Sequence, residues 1–285
     1  MTYRMASVIS ADGSTIRYRE FGRGPGVVLL HGGLQSAQNF TRLAEGLAGS
    51  LTVYVPNRRG RGGSGSFGPG YGLDTERADL RALLRQTGAR RVFGLSSGAL
   101  IALHAARTLD EIDQLAVYEP PLKTARADPT SWVPRYQREL DRGRLASAMV
   151  TAMKGTGDVG PLTYTPRALL VPLVALALRV SKRAVHRDHV AIADLIPTLH
   201  FDARLAREAE GTLETFATIR AEVMLLGGNR SARPLRVALD ELAAQLPRAK
   251  RVELKGIGHL AADESGRPAE VARILRGFFG DVPVA

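Results

Sequence analysis

Short runs of β-branched and aliphatic residues alternate along the chain with longer stretches whose apolar positions recur every three to four residues. That beat is the pattern of an α/β protein with a mainly parallel sheet. Residues 5–10 and 14–20 read as an N-terminal hairpin turning at Asp12-Gly13. Val27–Leu30, Thr52–Val55, Arg91–Leu95, Gln114–Tyr118, Glu222–Leu226 and Arg251–Leu254 read as strands. The helices expected between them are Ser36–Ala48 (capped by Ser36), Thr75–Gln86 with Leu80, Leu83 and Leu84 on one face, Gly98–Leu109, Pro234–Gln245, and Pro268–Phe279 with proline in its first turn.

From about Pro121 to Leu213 the strand–helix beat stops and helix formers dominate. This segment reads as a helical insertion over the carboxyl edge of the sheet, where open α/β folds bind ligands. Residues 1–120 and 214–285 then make one core domain and 121–213 a cap, with no repeat, low-complexity segment or flexible linker.

Composition narrows the function classes. The 285 residues are 45% hydrophobic and 24% charged, an ordinary globular balance. No cysteine is present, which excludes disulfides, thiolate metal sites and a cysteine nucleophile, and fits a reducing compartment. The greasiest run, Ala168–Val180, is interrupted by Pro172 and falls short of the roughly 18 residues a membrane span needs. The N-terminus lacks an export signal, so the expected location is the cytoplasm. The net charge of +11 comes from 34 Arg and 5 Lys spread over the whole chain. Even the densest group, Arg179, Lys182, Arg183 and Arg187, reads as a solvated helix face rather than a nucleic-acid track.

The chemistry concentrates in three places. Gly94-Leu95-Ser96-Ser97-Gly98 follows the strand Arg91-Val92-Phe93 and opens the helix Ala99–Leu103, the context of a nucleophile elbow. A side chain at Gly94 or Gly98 would collide with the neighbouring helix or strand, and the turn lifts the Ser96 hydroxyl clear of the sheet. The unpaired N–H groups of the helix start face any anion formed there. His31-Gly32-Gly33 follows Val27–Leu30, and a glycine-lined turn at that edge frees backbone N–H groups; Gly33 and Ser97 form the expected oxyanion hole, with His31 bracing the loop. His259 lies in Gly256-Ile257-Gly258-His259-Leu260, past the last strand, and is the histidine placed to act as general base. Of the other five, His104 reads as core, His186, His189 and His200 as cap, and His31 as loop.

On these signatures, together with the loop Asn57-Arg58-Arg59-Gly60-Arg61-Gly62-Gly63-Ser64, the chain resembles the α/β-hydrolase-fold superfamily over nearly its whole length. The resemblance implies an eight-stranded, mostly parallel sheet flanked by helices, a helical cap, no cofactor and no metal, and a Ser–acid–His triad in that chain order. Two departures stand out. Asn57 stands where relatives carry Asp, with a structural effect expected. The turn that usually bears the acid reads Gly228-Asn229-Arg230-Ser231, with no carboxylate between Glu222 and Asp240. Some members place the acid after the strand that follows the elbow, and Glu119 stands there, able to orient His259 through Nδ1. Asp263 is the outside candidate.

The expected activity is a serine hydrolase cleaving a carboxylic ester, lactone or thioester. A serine at the elbow argues against the dehalogenase and epoxide-hydrolase branches. Two further readings stay open: a lyase or cyclase that uses Ser96 and His259 as proton shuttles, and a receptor-like ligand binder. Leu34, Trp132, Tyr136 and His200, with Tyr164, Phe201 and the Ala168–Val180 run, are candidates to contact a small-molecule substrate bearing an apolar acyl or alkyl group. For any one of these residues, packing against the sheet edge is the competing role. No nucleic-acid or membrane partner is expected; a homodimer through the apolar cap helix is open.

Overall fold

The computed structural model describes residues 3–157, 164–181 and 189–280. Lys182, Arg183, His186 and Arg187 lie outside them. Eight strands form one sheet: β1 (Arg4–Ile9), β2 (Thr15–Phe21), β3 (Gly26–Leu30), β4 (Thr52–Pro56), β5 (Arg91–Leu95), β6 (Gln114–Tyr118), β7 (Glu222–Gly228) and β8 (Lys250–Leu254). Their order is β1-β2-β4-β3-β5-β6-β7-β8. The pairs β1–β2 and β2–β4 are antiparallel, and every later pair is parallel. The hairpin turns at Asp12-Gly13, where Gly13 takes φ +84°.

The central strands are apolar without interruption because both faces are covered. Along β6, Leu115 and Val117 enter one core with α2 (Leu73–Thr87), α3 (Ser97–Ala106) and α9 (Arg233–Gln245). Ala116 and Tyr118 enter the opposite core with α1 (Thr41–Leu47) and α10 (Pro268–Phe279). Helix α3 is sandwiched, with nine of its ten residues buried. His104 is the exception: it is partly exposed and bonds Asp74 rather than sitting in the core.

The helix expected over Ser36–Ala48 splits into a 3-10 turn at Ala37–Phe40 and then α1. Ser36 does occupy the N-cap position, but there its own N–H donates to Asn39 Oδ1 (3.0 Å).

Between β6 and β7 the chain forms α4 (Val133–Asp141), α5 (Leu145–Thr156), α6 (Arg167–Ser181), α7 (Ile192–Leu195) and α8 (Leu199–Glu208). Pro172 sits inside α6, and Leu169, Leu173, Leu176 and Val180 on that helix are 58–65% exposed. Among the described residues, no helix is long and apolar enough to cross a membrane.

Candidate active site

The turn after β5 puts Ser96 at φ 56°, ψ −120°, a conformation that an L residue holds only when its surroundings impose it. They do so through the flanking glycines. A Cβ on Gly94 would lie 2.4 Å from the Gly98 carbonyl, and one on Gly98 would lie 2.3 Å from that of Leu30. Strand and helix therefore meet closer than any side chain permits, and the strained serine is the hinge between them.

Glu119 leaves β6 in a left-handed conformation as well, φ 44°, and is fully buried. Its Oε2 lies 2.8 Å from His259 Nδ1, and its Oε1 accepts the N–H of Gly228 at 2.7 Å. Room for this carboxylate comes from β7. A Cβ on Gly227 would stand 3.0 Å from Glu119 Oε1, and one on Gly228 would stand 2.2 Å from the Ile257 carbonyl. Glycine at 227 thus leaves space beside the carboxylate, and glycine at 228 lets the loop that carries His259 close onto the strand end. Ser231, in the turn where the resemblance places the acid, is buried with a hydroxyl that has no partner among the described residues. The His259 loop is held by Tyr118, whose hydroxyl donates to the Gly258 carbonyl (2.8 Å).

Ser96, Ser97, Gly32, Gly33 and His259 all front one cavity of about 320 Å³. The residues of the loop after β3 are oriented individually. Gly32 N–H donates to Gln35 Oε1 (2.8 Å), and His31 Nδ1 lies 2.9 Å from the Gly32 carbonyl. Because a peptide is planar and trans, holding the Gly32 carbonyl also aims the Gly33 N–H on its far side. Among the described residues, no hydrogen bond takes the N–H of Gly33 or of Ser97. His31 accepts the Arg58 N–H at Nε2 (3.4 Å). Burial, reinforced by Arg61 and Arg58, holds its pKa well below the usual histidine value, so it stays neutral in the tautomer that donates from Nδ1.

A buried charge network, which the sequence reading did not anticipate, backs this loop. Asp202 of α8 receives Arg58 Nη1 (2.8 Å), Arg61 Nη2 (2.5 Å) and the Ser97 hydroxyl (2.8 Å). Arg58 also pairs with Glu76 (2.9 Å), and Arg59 with Asp79 (2.7 Å). Burial pushes the Asp202 carboxyl up, but Arg61 and Arg58 outweigh it and bring its pKa to about 2. The arginine-rich loop 57–64 is therefore a buried anchor for the insertion. Asn57 ties the same loop, accepting Ala37 N–H (2.9 Å) and donating to the Gly62 carbonyl (3.4 Å).

Leu34 and Trp132 line the cavity, joined by Val133, Met149, Met153, Leu199 and Leu235. Tyr136 and His200 do not, and neither does the Ala168–Val180 run. Tyr136 is fully buried, with its hydroxyl on the Ile196 carbonyl and its ring edge-on to Trp132. His200 turns away to Gln137 (2.6 Å). Tyr164 is 89% exposed, and Phe201 stacks on Phe67 at 3.6 Å. Asp263 reaches the cavity wall, but its carboxylate is engaged by Gln35 and Asn39. Among the described residues, no group of three or more potential ligands is placed to hold a metal ion.

The chain is similar to several known proteins. Uncharacterized hydrolase YraK of Bacillus subtilis is 34% identical over 117 residues, 39% of this chain and 43% of that protein. The pimeloyl-[acyl-carrier protein] methyl ester esterase of Xanthomonas campestris is 25% identical over 263 residues, 92% of this chain and 98% of that one. The crystal structure of an α/β hydrolase from Sphaerobacter thermophilus matches with a TM-score of 0.75 and 30% identity, covering 96% of this chain and 100% of that one. A family model described as the alpha/beta hydrolase family matches residues 27–274. With the sheet order and the serine turn agreeing, the chain belongs to the alpha/beta hydrolase family and is an α/β-fold hydrolase.

Proposed function

We propose that the protein is a serine hydrolase that cleaves a carboxylic ester, lactone or thioester through an acyl-enzyme, with Ser96, His259 and Glu119 as its triad. The observation that carries this reading is the 2.8 Å contact between His259 Nδ1 and a wholly buried carboxylate, in a cavity that Ser96 also fronts. A carboxylate at Nδ1 holds the proton there, leaves Nε2 as the base and stabilises the imidazolium formed when that base is protonated. The similar protein of Xanthomonas campestris, named as a methyl ester esterase, supports the ester class.

In this mechanism Ser96 Oγ attacks the carbonyl carbon as His259 Nε2 takes the hydroxyl proton. The carbonyl oxygen becomes an oxyanion held by the N–H groups of Gly33 and Ser97. Collapse breaks the bond to the leaving group, which receives the proton from His259. Water, deprotonated by His259, then attacks the acyl-enzyme, and the second collapse returns the proton to Ser96. Residues 121–213 act as a cap that closes the apolar wall, with Leu34, Trp132, Val133 and the two α5 methionines against the acyl or alkyl part of a small molecule. The cysteine-free composition supports a cytoplasmic location. The contact of Glu119 with Nδ1 orients His259 for acyl transfer, which supports the hydrolase reading over the lyase or cyclase one.

A fluorophosphonate probe tests the proposal. Ser96 is expected to be labelled in the wild type and not in Ser96→Ala, with labelling at least a hundredfold slower in His259→Ala. An unlabelled, folded wild-type protein would refute it.

A further inference from the structure

Asp263 is not the triad acid, yet it is a buried carboxylate in the loop that carries His259, and it is saturated with donors. Ser265 donates to Oδ1 through its N–H (2.9 Å) and its hydroxyl (2.7 Å). Asn39 Nδ2 (2.9 Å) and Gln35 Nε2 (2.7 Å) donate to Oδ2. The other end of the Gln35 amide accepts the Gly32 N–H at 2.8 Å. Asp263, Gln35 and Gly32 therefore form a continuous relay from the His259 loop, after β8, to the oxyanion loop, after β3. Both side chains are buried, 6% and 3% exposed, and both front the cavity.

The polarity of this relay is forced at every joint. A backbone N–H needs an acceptor, so Gln35 must turn its oxygen to Gly32 and its NH2 to Asp263. Only an acceptor can receive that NH2, and the ionised carboxylate accepts at both oxygens. The oxyanion loop needs such a hold because Leu34 stands at φ 58°, a conformation a leucine leaves unless it is restrained.

We propose that Gln35 and Asp263 are positioning residues that couple the general-base loop to the oxyanion loop, setting the height of the Gly33 N–H over Ser96. This rests on the triad and oxyanion assignments above. Loss of the relay misplaces one donor without removing it, so the effect lies below the 10²–10³ seen when a donor is deleted, at about tenfold or more in kcat. Gln35→Ala, Gln35→Glu and Asp263→Ala should each lower kcat by about that factor with KM changed less than about threefold. Gln35→Glu sets two carboxylates against each other, and Asp263→Ala removes the acceptor of the Gln35 NH2.

The decisive variant changes both residues. In Gln35→Glu/Asp263→Asn the glutamate still accepts from Gly32, and the asparagine NH2 now donates to the glutamate while giving up the bond from Asn39 Nδ2. The relay is restored with its polarity reversed and its net charge unchanged, and kcat should recover by about threefold or more over Gln35→Glu. Fluorophosphonate labelling of Ser96 is measured in parallel. A labelled, active wild type whose Gln35→Ala variant keeps full kcat, or whose double variant is no better than Gln35→Glu, overturns the relay and leaves the triad standing. A wild type that is not labelled at Ser96 overturns both.

Discussion

Glu119→Gln is the most informative single substitution because the structure dictates how the new amide must sit. Glutamine matches the shape of glutamate but has one acceptor oxygen. The Gly228 N–H, 2.7 Å from Oε1, claims it, since an NH2 placed there would face another donor. The amide NH2 is then left 2.8 Å from His259 Nδ1 and can only donate to it. The imidazole must answer with a lone pair at Nδ1, which moves its proton to Nε2, the nitrogen that has to accept from Ser96. The expected loss in kcat is on the order of 10⁴, the effect of imposing the wrong tautomer on a triad histidine, equivalent to about 5.5 kcal/mol of barrier. Every hydrogen bond in the cluster is still made, so the melting temperature should move by only a few degrees. Steady-state hydrolysis of a short-chain p-nitrophenyl ester, together with thermal unfolding of the same preparation, measures both quantities. A folded variant with kcat within tenfold of wild type refutes the assignment of Glu119.

Other substitutions probe separate parts of the same account. Ser96→Gly should abolish hydrolysis yet raise stability by about 1 kcal/mol, because glycine relieves the strain at φ 56°; a fall in melting temperature would contradict stored strain at the elbow. Asp202→Asn should cost about 3 kcal/mol near neutral pH by leaving Arg58 and Arg61 undercompensated in the interior. Since the folded-state pKa of Asp202 is depressed to about 2 from 3.8, its stabilisation is present above the unfolded value and is lost as pH falls. The gap between wild type and Asp202→Asn in urea unfolding should therefore narrow by about 1 kcal/mol from pH 5 to pH 3; a constant gap would deny the shift. Met153→Trp, on the α5 wall of the cavity, should lower kcat/KM for octanoyl esters at least tenfold relative to acetyl esters, and an unchanged chain-length profile would place the acyl group elsewhere.

The sequence by itself determined the scaffold and pointed to two of the groups proposed to react. Uninterrupted apolar runs mark strands covered on both faces, and Gly94 and Gly98 mark a turn too tight for side chains, so the serine between them was legible from local pattern alone. His259 was legible from a glycine-rich loop past the last strand. Glu119 could be named only through the family resemblance, because a carboxylate after a strand looks the same whether it is exposed or buried; its surroundings include Gly227 and Gly228 on a strand more than a hundred residues away. The same limit hid the rest of the site. Arg58, Arg61 and Asp202 read as surface charge until folding brings α8 down onto the loop, and Gln35 gains a function only when Asp263 arrives opposite it. Tyr136 and His200 were misplaced for the complementary reason: helical periodicity tells which side chains share a face, but not whether that face meets the cavity or a neighbouring helix. Local spacing encodes backbone shape. Which polar groups meet inside the protein is decided by contacts distant in the chain, where burial requires each donor and acceptor to find a partner.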